Sequence, residues 1–424
     1  MPLIFAFFMK LNLGYELIYR LIETIISALG LVFIYLTAKE LFNKEVGIAS
    51  TLLLSVFYLH LFYTDRLLLD IIAPTFWLIS LYFFTTGYLI KKDNKKFYLA
   101  SLFAAIGVFF YNQTIAIFIL YLIFLLIIEK LNLFKEKRFY IFGLVALITF
   151  LPNFILNQIL YKNPIEFITT GISVGNVLTS NYLQNVMIYI NYFPRYLGII
   201  LLILFLVSII LVFYKLIIGI DLLIKKPDLE LKKYLLLLLW LVLPFLIIIK
   251  IVGHFEDRYL MPVFIPIFII CSLGLYKIKQ FLVKPSNKSI IYAIIILLLI
   301  LISYGQIKQA DQIINAKKDS YKELKDAGLW IKENSMPEDK ILTSNIPILP
   351  YYSERQIIPF PEKEEQLIPL IIKEKPKYIL ISVFTGNPNY INNLGTYTML
   401  KPVQGYKLNG NPVLVIFAIE YNKL

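Results

Sequence analysis

Residues 234–252 read YLLLLLWLVLPFLIIIKIV, and GHFEDRY follows at 253–259. Lys250 is the only charge in the first stretch. A helix needs roughly 20 consecutive apolar residues to cross the hydrocarbon core of a bilayer, and this stretch meets that length. Similar stretches recur at 17–38, 46–63, 68–90, 97–112, 114–129, 139–160, 195–217, 259–277 and 289–305. They predict an all-α polytopic membrane domain of about ten transmembrane helices. With 59% hydrophobic and 16% charged residues in 424, no soluble core of ordinary size would hide so much apolar surface. The apolar runs stop near Ser303–Lys308, and ordinary charge density with strand-like alternation takes over. The expected organisation is therefore a multi-pass domain at 1–305 and a small α/β soluble domain at 306–424.

The formal charge of +13 does not mark a nucleic-acid partner, because of where it lies. Residues 306–424 carry 15 Lys and Arg against 13 Asp and Glu, near balance. The excess sits in short loops between apolar runs. Taken alternately, the connections 39–45, 91–96, 130–138, 215–233 and 277–288 hold 19 Lys or Arg, and the opposite set holds seven. Basic residues collect in short cytoplasmic loops, so the first set is expected inside and the C-terminal domain outside. The N-terminus then also falls outside. The run before Lys10 is too short to span and lacks signal-peptide flanks. On this reading an upstream helix is expected and Met1 is not the true start of the functional unit, a genuinely short variant being the alternative. The single cysteine, Cys271, lies in an apolar segment, so no intrachain disulfide can form.

Charged groups at membrane depth are costly and hence suspect as functional. One group is Tyr63-Thr64-Asp65-Arg66-Leu67-Leu68-Leu69-Asp70, at a tight outer turn, with Asp70 about one turn inside the next helix. The structural alternative is that Asp65 caps that helix and pairs with Arg66. A second is Gly253-His254-Phe255-Glu256-Asp257-Arg258-Tyr259, before Pro262 and Pro266. An arginine at a helix entrance can bind phosphate through two donors, helped by the positive helix end. His254, Glu256 and Asp257 could ligate a divalent ion; a plain loop with an internal salt bridge is the alternative. A third is the outer loop 161–195, with Lys162, Glu166, Tyr182, Gln184, Asn185 and Arg195, suited to a lid or a linker. The short turn Tyr111-Asn112-Gln113-Thr114 reads as structural. There is no GxxxxGK[ST], no GxGxxG after a strand, no HExxH and no CxxC. An ATP-driven transporter is therefore not indicated.

The order of these features resembles the membrane glycosyltransferases of the GT-C type, in particular the protein mannosyltransferases and aminoarabinose transferases of glycosyltransferase family 39 and its relatives. Residues 1–14 (MPLIFAFFMKLNLG) look like the end of the family's "PPL" segment. Residues 19–50, from Tyr19 to Ser50, are similar to its helix, turn and next helix entry. Residues 63–84 (YTDRLLLDIIAPTFWLISLYFF) look like its "sR…D" segment, and 254–275 (HFEDRYLMPVFIPIFIICSLGL) like its "RYxxP" helix. Residues 321–356 resemble the soluble tail of prokaryotic members.

The resemblance implies transfer of a sugar from a polyprenyl-phosphate-linked donor to an acceptor lipid, glycan or protein on the outer face of the cell membrane. By it, Asp70 matches the family's acidic residue and is a candidate catalytic carboxylate, and Arg258 and Tyr259 match its "RY" pair and would hold the donor phosphate. The residues themselves add Asp65 as a second candidate catalytic carboxylate, Arg66 as a further candidate for the phosphate, and His254, Glu256 and Asp257 as candidate contacts to substrate or metal. The family's catalytic base stands in an outer loop just before the "PPL" segment, where this sequence begins. No cofactor is demanded by any motif, a divalent metal ion being the one candidate.

The tail predicts a helix at 319–334, a strand near 340–343, a second at 356–360, a helix at 362–374 and a strand at 377–383. A hairpin pairing 400–408 with 412–419 around Asn409-Gly410-Asn411 completes it. The competing functional readings are a non-catalytic or truncated relative of such an enzyme, and a transporter or flippase of lipid-linked saccharide.

Overall fold

The computed structural model describes residues 8, 10–11, 16–64, 66, 68–166, 182–225, 228–251, 256–344 and 348–423, with the backbone alone at 69–70, 112–113, 224, 251, 392–393 and 395–396. It forms two compact units, Met1–Ile314 and Asn315–Leu424. The first is helical: α1 Glu16–Leu41, α2 Lys44–Val56, α3 Tyr58–Tyr63, α4 Leu69–Phe84 with a π-helical end at Thr85–Ile90, α5 Asn94–Phe110 and α6 Ala116–Glu129. There follow α7 Lys137–Tyr161, α8 Tyr182–Ile218, α9 Ile220–Lys225, α10 Leu229–Ile251, α11 Met261–Leu282 and α12 Lys288–Lys317.

Among the described residues, eight helical stretches are long and apolar enough to cross a membrane. The other two expected spans take different forms. The 97–112 span is the 17-residue α5, about 25 Å at 1.5 Å per residue. The 46–63 span is broken into α2 and α3 at Phe57 (φ −62, ψ 124). The span expected at 195–217 begins earlier, so that Tyr182–Arg195, assigned to a loop from sequence, forms the N-terminal part of α8. The span expected at 289–305 is the apolar part of the longer α12.

α11 is apolar all round and lies at the centre. Every residue from Met261 to Leu275 is buried, packed among α2, α8 and α10, which is where such a helix belongs. In lipid there is little hydrophobic drive between helices, so close approach relies on small residues. Gly274 of α11 meets Ser208 of α8 so closely that a Cβ would fall 1.8 Å from the Ser208 Oγ. The opposite face of α8 presents Ile199, Ile203, Ile210 and Ile217, all exposed, as a lipid-facing surface requires.

Breaking a helix in a membrane frees backbone groups that water cannot satisfy. Among the described residues two such breaks occur, at Phe57 and at Gly198 in α8 (φ 70, ψ 164). One side chain of α12, Gln306, serves both. Its Oε1 accepts from the Tyr58 N–H at 3.1 Å, and its Nε2 donates to the carbonyls of Tyr196 and Leu197 at 3.2 and 3.0 Å. Gln306 is buried, and Phe57 fills the first break by packing on Phe264 and Phe268 at ring-centroid distances of 4.8 and 5.1 Å.

The second unit is α13 Lys322–Asn334, β1 Lys340–Leu342, α14 Leu349–Ser353, β2 Gln356–Ile358, α15 Leu367–Glu374, β3 Tyr378–Ser382, β4 Leu400–Leu408 and β5 Asn411–Ile419. The sheet order is β2-β1-β3-β5-β4. β1 is parallel to β2 and β3, and β5 is antiparallel to β3 and β4. Alternation puts Ile341, Leu380, Leu414 and Ile416 on one face, under α13 and α14. Leu342, Ile379 and Ile419 lie on the other, under α15. Asn409 and Gly410 both have positive φ (51 and 83), the conformation that a two-residue hairpin turn requires. The small α/β organisation, α13, α15 and the hairpin follow the sequence reading, which does not predict the short α14.

Two predictions follow from this packing. Gln306→Leu leaves three buried backbone groups unmatched, at about 1–3 kcal/mol each, and should lower the unfolding free energy in nanodiscs by several kcal/mol. Gln306→Glu keeps the acceptor for Tyr58 but sets a buried carboxylate against the two carbonyls, so it should lose at least as much; equal stability of all three proteins would refute the bridging role. In the tail, burial raises the Asp339 pKa, but the Met336 N–H at 2.7 Å and the Lys377 ammonium at 3.0 Å outweigh it and hold the carboxyl below its ordinary value. A depressed folded pKa stabilises above the unfolded value, about 3.9, and that contribution disappears as pH falls through the folded value. Trp330 fluorescence, in a Trp77→Phe/Trp240→Phe background, should report an acid transition of the tail that is shallower in Asp339→Asn. An unchanged transition would count against this assignment.

Candidate active site

The segment entering α11 gathers polar groups from three other elements. Tyr63, the last residue of α3, donates its hydroxyl to Asp257 Oδ1 at 2.9 Å. This bond joins the two polar groups singled out in the sequence, nearly two hundred residues apart. From the N-terminal half of α8, the buried Tyr189 accepts the Glu256 N–H at 3.4 Å. From the turn after α5, Tyr111 lies near-parallel to Tyr259, with ring centroids 6.0 Å apart.

Arg258 lies at the centre of this arrangement. It forms an ion pair with Glu256, lies over the Tyr259 ring at 5.1 Å and donates to the Tyr259 hydroxyl at 3.3 Å. Its side chain is one quarter exposed, so the guanidinium is shielded but reachable. Arg258 and Tyr259 also line a small crevice with Ala73, Pro74, Tyr111, Thr114, Ile248 and Pro262. A guanidinium in this setting can offer a planar fork of donors to a phosphate. Low surrounding polarity strengthens that interaction.

Among the sequence candidates, Glu256, Asp257, Arg258 and Tyr259 are thus brought together with Tyr63. Arg66 lies over the Phe62 ring at 4.2 Å on the neighbouring turn. Asp70 stands in the first turn of α4, where its backbone alone is described. Asp65 and His254 lie outside the described residues. Of the loop candidates, Lys162 and Glu166 lie at the end of α7 and just after it, whereas Tyr182, Gln184, Asn185 and Arg195 are helical. No group of three or more His, Cys, Asp or Glu able to hold a metal stands together among the described residues. Glu256 and Asp257 are instead engaged by Arg258 and Tyr63.

Sequence reasoning missed several contributors. Tyr111 reads as part of a structural turn, and Tyr189 as an unremarked residue within the 161–195 loop. Glu23, Ser27 and His60 were also passed over. Glu23 and Ser27 are buried one turn apart on α1, and Ser27 Oγ lies 3.0 Å from both His60 Nε2 and Thr64 Oγ1. The available signal was the Tyr19, Glu23, Ser27, Gly30 spacing, which puts a carboxylate and a hydroxyl on one helix face.

Residues 1–156 match the family described as dolichyl-phosphate-mannose-protein mannosyltransferase. No curated protein sequence matches the chain. Among solved structures, ArnT from Cupriavidus metallidurans bound to undecaprenyl phosphate superposes with a TM-score of 0.64 at 12% identity, covering 96% of this chain and 85% of that one. The archaeal oligosaccharyltransferase AglB from Archaeoglobus fulgidus, in complex with an inhibitory peptide and a dolichol-phosphate, gives 0.55 at 14% identity, over 98% of this chain and 65% of that one. The Archaeoglobus fulgidus oligosaccharyltransferase in complex with zinc and sulfate gives 0.58 at 14% identity, over 88% and 58%. This chain thus spans about three fifths of the archaeal oligosaccharyltransferase. At such identities the structural likeness bears on the fold, and the family match bears on the N-terminal third of the chain. The chain is a multi-pass membrane protein with a GT-C-like fold, whose residues 1–156 are similar to the mannosyltransferase family.

Proposed function

We propose that this protein is an integral membrane glycosyltransferase that moves a sugar from a polyprenyl-phosphate-linked donor to an acceptor on the outer face of the membrane. The observation that carries this reading is Arg258, a shielded and reachable cation at the entrance of the central helix, flanked by Tyr259 and Glu256. The family match over residues 1–156 and the shared fold support it.

In such a transfer the acceptor hydroxyl oxygen bonds to the anomeric carbon as the bond from that carbon to the phosphate oxygen breaks. The electron pair leaves with the polyprenyl phosphate, and the hydroxyl proton passes to a carboxylate base. Negative charge builds on the departing phosphate, where Arg258 would stabilise it; stabilisation of this kind is commonly the largest single contribution. Asp70, matched to the acidic residue of the family's "sR…D" segment, would position the acceptor. Tyr63 fixes the segment from beneath by holding Asp257. The excess of basic residues on the alternate loops supports an outer position for the site and the C-terminal unit.

The test is transfer from radiolabelled polyprenyl-phosphate mannose, glucose or aminoarabinose in proteoliposomes. Arg258→Ala should cost about 100-fold to 1000-fold in rate, the range for loss of one such stabilising group. Arg258→Lys should recover part of it, because the charge survives without the fork. Asp70→Asn should also impair transfer. Full activity in Arg258→Ala would refute the assignment, and no transfer from any of the three donors by correctly inserted protein would refute the enzymatic reading.

A further inference from the structure

In the tail the chain leaves β1 to one side for β2 and then passes back to β3 on the other side. The helix after β1, α14, packs on one face of the sheet, and the helix after β2, α15, packs on the other. Where successive connections part in this way, the loops at the carboxyl ends of the strands leave a crevice, and open α/β sheets take their ligands there. The tail has such a crevice. A cleft of about 800 Å³ is walled by Glu362 and Glu364 from the segment after β2, and by Asn387, Asn389, Tyr390 and Tyr397 from the segment after β3. That size falls within the range of about 300–1,000 Å³ usual for small-molecule sites.

The two walls are tied together. Tyr390 donates its hydroxyl to the Pro361 carbonyl at 2.6 Å, and Tyr397 donates to Glu364 Oε1 at 2.9 Å. Burial pushes the Tyr390 phenol up to about 12, and the bond to Glu364 raises that of Tyr397. Both rings are therefore neutral and fixed in position near pH 7, so little ordering remains to be done on binding. Asn387 donates through Nδ2 to the Ser382 carbonyl at 2.8 Å. Its Oδ1 is buried with no hydrogen-bond partner among the described residues, while the rest of the side chain lines the cleft.

We infer that this cleft binds an uncharged saccharide. Carboxylates and side-chain amides can engage neighbouring hydroxyls in pairs. The phenol rings, with Ile368 and Pro388 beside them, offer apolar surface to the C–H face of a sugar ring. Three carboxylates, Glu362, Glu364 and Glu365, against the single Lys363 select against anionic sugars and phosphates. The part played by the saccharide as transfer acceptor rests on the glycosyltransferase reading; the binding does not.

The experiment is saturation-transfer NMR on the full chain in nanodiscs without any donor lipid. The probes are methyl α-mannopyranoside, methyl β-glucopyranoside and methyl β-galactopyranoside, with methyl glucuronoside as the anionic counterpart and tetralysine as a basic peptide. At least one neutral glycoside should take up saturation, and the glucuronoside should not. Asn387→Ala and Glu364→Gln should each weaken binding about fivefold to tenfold, the effect of losing one hydrogen bond, with Trp330 fluorescence unchanged to show that the tail is folded. Absence of saturation for all three neutral glycosides, or saturation indifferent to both substitutions, would overturn the inference. So would binding of tetralysine alone that both substitutions abolish. Saturation in a protein that transfers no sugar would uphold the site and remove only its acceptor role.

Discussion

The membrane unit depends on one constraint: inside a bilayer, every backbone group freed by a broken helix must find a partner within the protein. Among the described residues two helices are broken, and Gln306 meets the needs of both, accepting from Tyr58 and donating to Tyr196 and Leu197. The breaks matter because of what lies beyond them. Past Phe57, α3 carries Tyr63 to Asp257; ahead of Gly198, the N-terminal part of α8 carries Tyr189 to the Glu256 backbone. One buried amide thus underwrites the two arms that hold the segment bearing Arg258. The break at Phe57 also seats its ring against Phe264 and Phe268 of α11, so the entrance and the middle of the central helix are fixed by the same element.

The electrostatic arrangement is economical. Arg258 is the one cation in the run from Glu256 to Tyr259, and its charge is balanced locally by Glu256, while Asp257 is taken up by Tyr63. Leaving a guanidinium unpaired at this depth would be expensive, and removing it altogether would leave no obvious seat for a phosphate. Pairing it at the lip of the crevice, with Tyr259 and Tyr111 as aromatic walls, keeps it charged and reachable.

Much of this was legible in the sequence, for physical reasons. Bilayer thickness sets a length that apolar runs must match, so the membrane segments could be counted. The tail showed the periods of 3.6 and 2: Leu324, Ala327, Gly328 and Ile331 are buried on α13, and Tyr378–Ser382 alternates between faces as expected. Asn409-Gly410 announced its turn. Of the site, Arg258, Tyr259, Glu256 and Asp257 were identified because charge between two apolar helices has few innocent explanations. What could not be read was tertiary in origin. The break at Phe57 has no proline or glycine to mark it and is held open by rings of a distant helix. Gln306 lies just past the last apolar run and reads as the start of a polar domain. Tyr111 and Tyr189 belong to the site only through partners far along the chain.

The most direct test of the central claim, that these broken helices hold Arg258 as the seat of the carrier phosphate, is a cryo-electron microscopy structure of the protein in nanodiscs with undecaprenyl phosphate. The account predicts phosphate density within hydrogen-bonding distance of the Arg258 guanidinium, with the Tyr63–Asp257 contact and both Gln306 bridges intact. Bound lipid whose phosphate lies away from Arg258, or a site assembled without the Gln306 bridges, would contradict it.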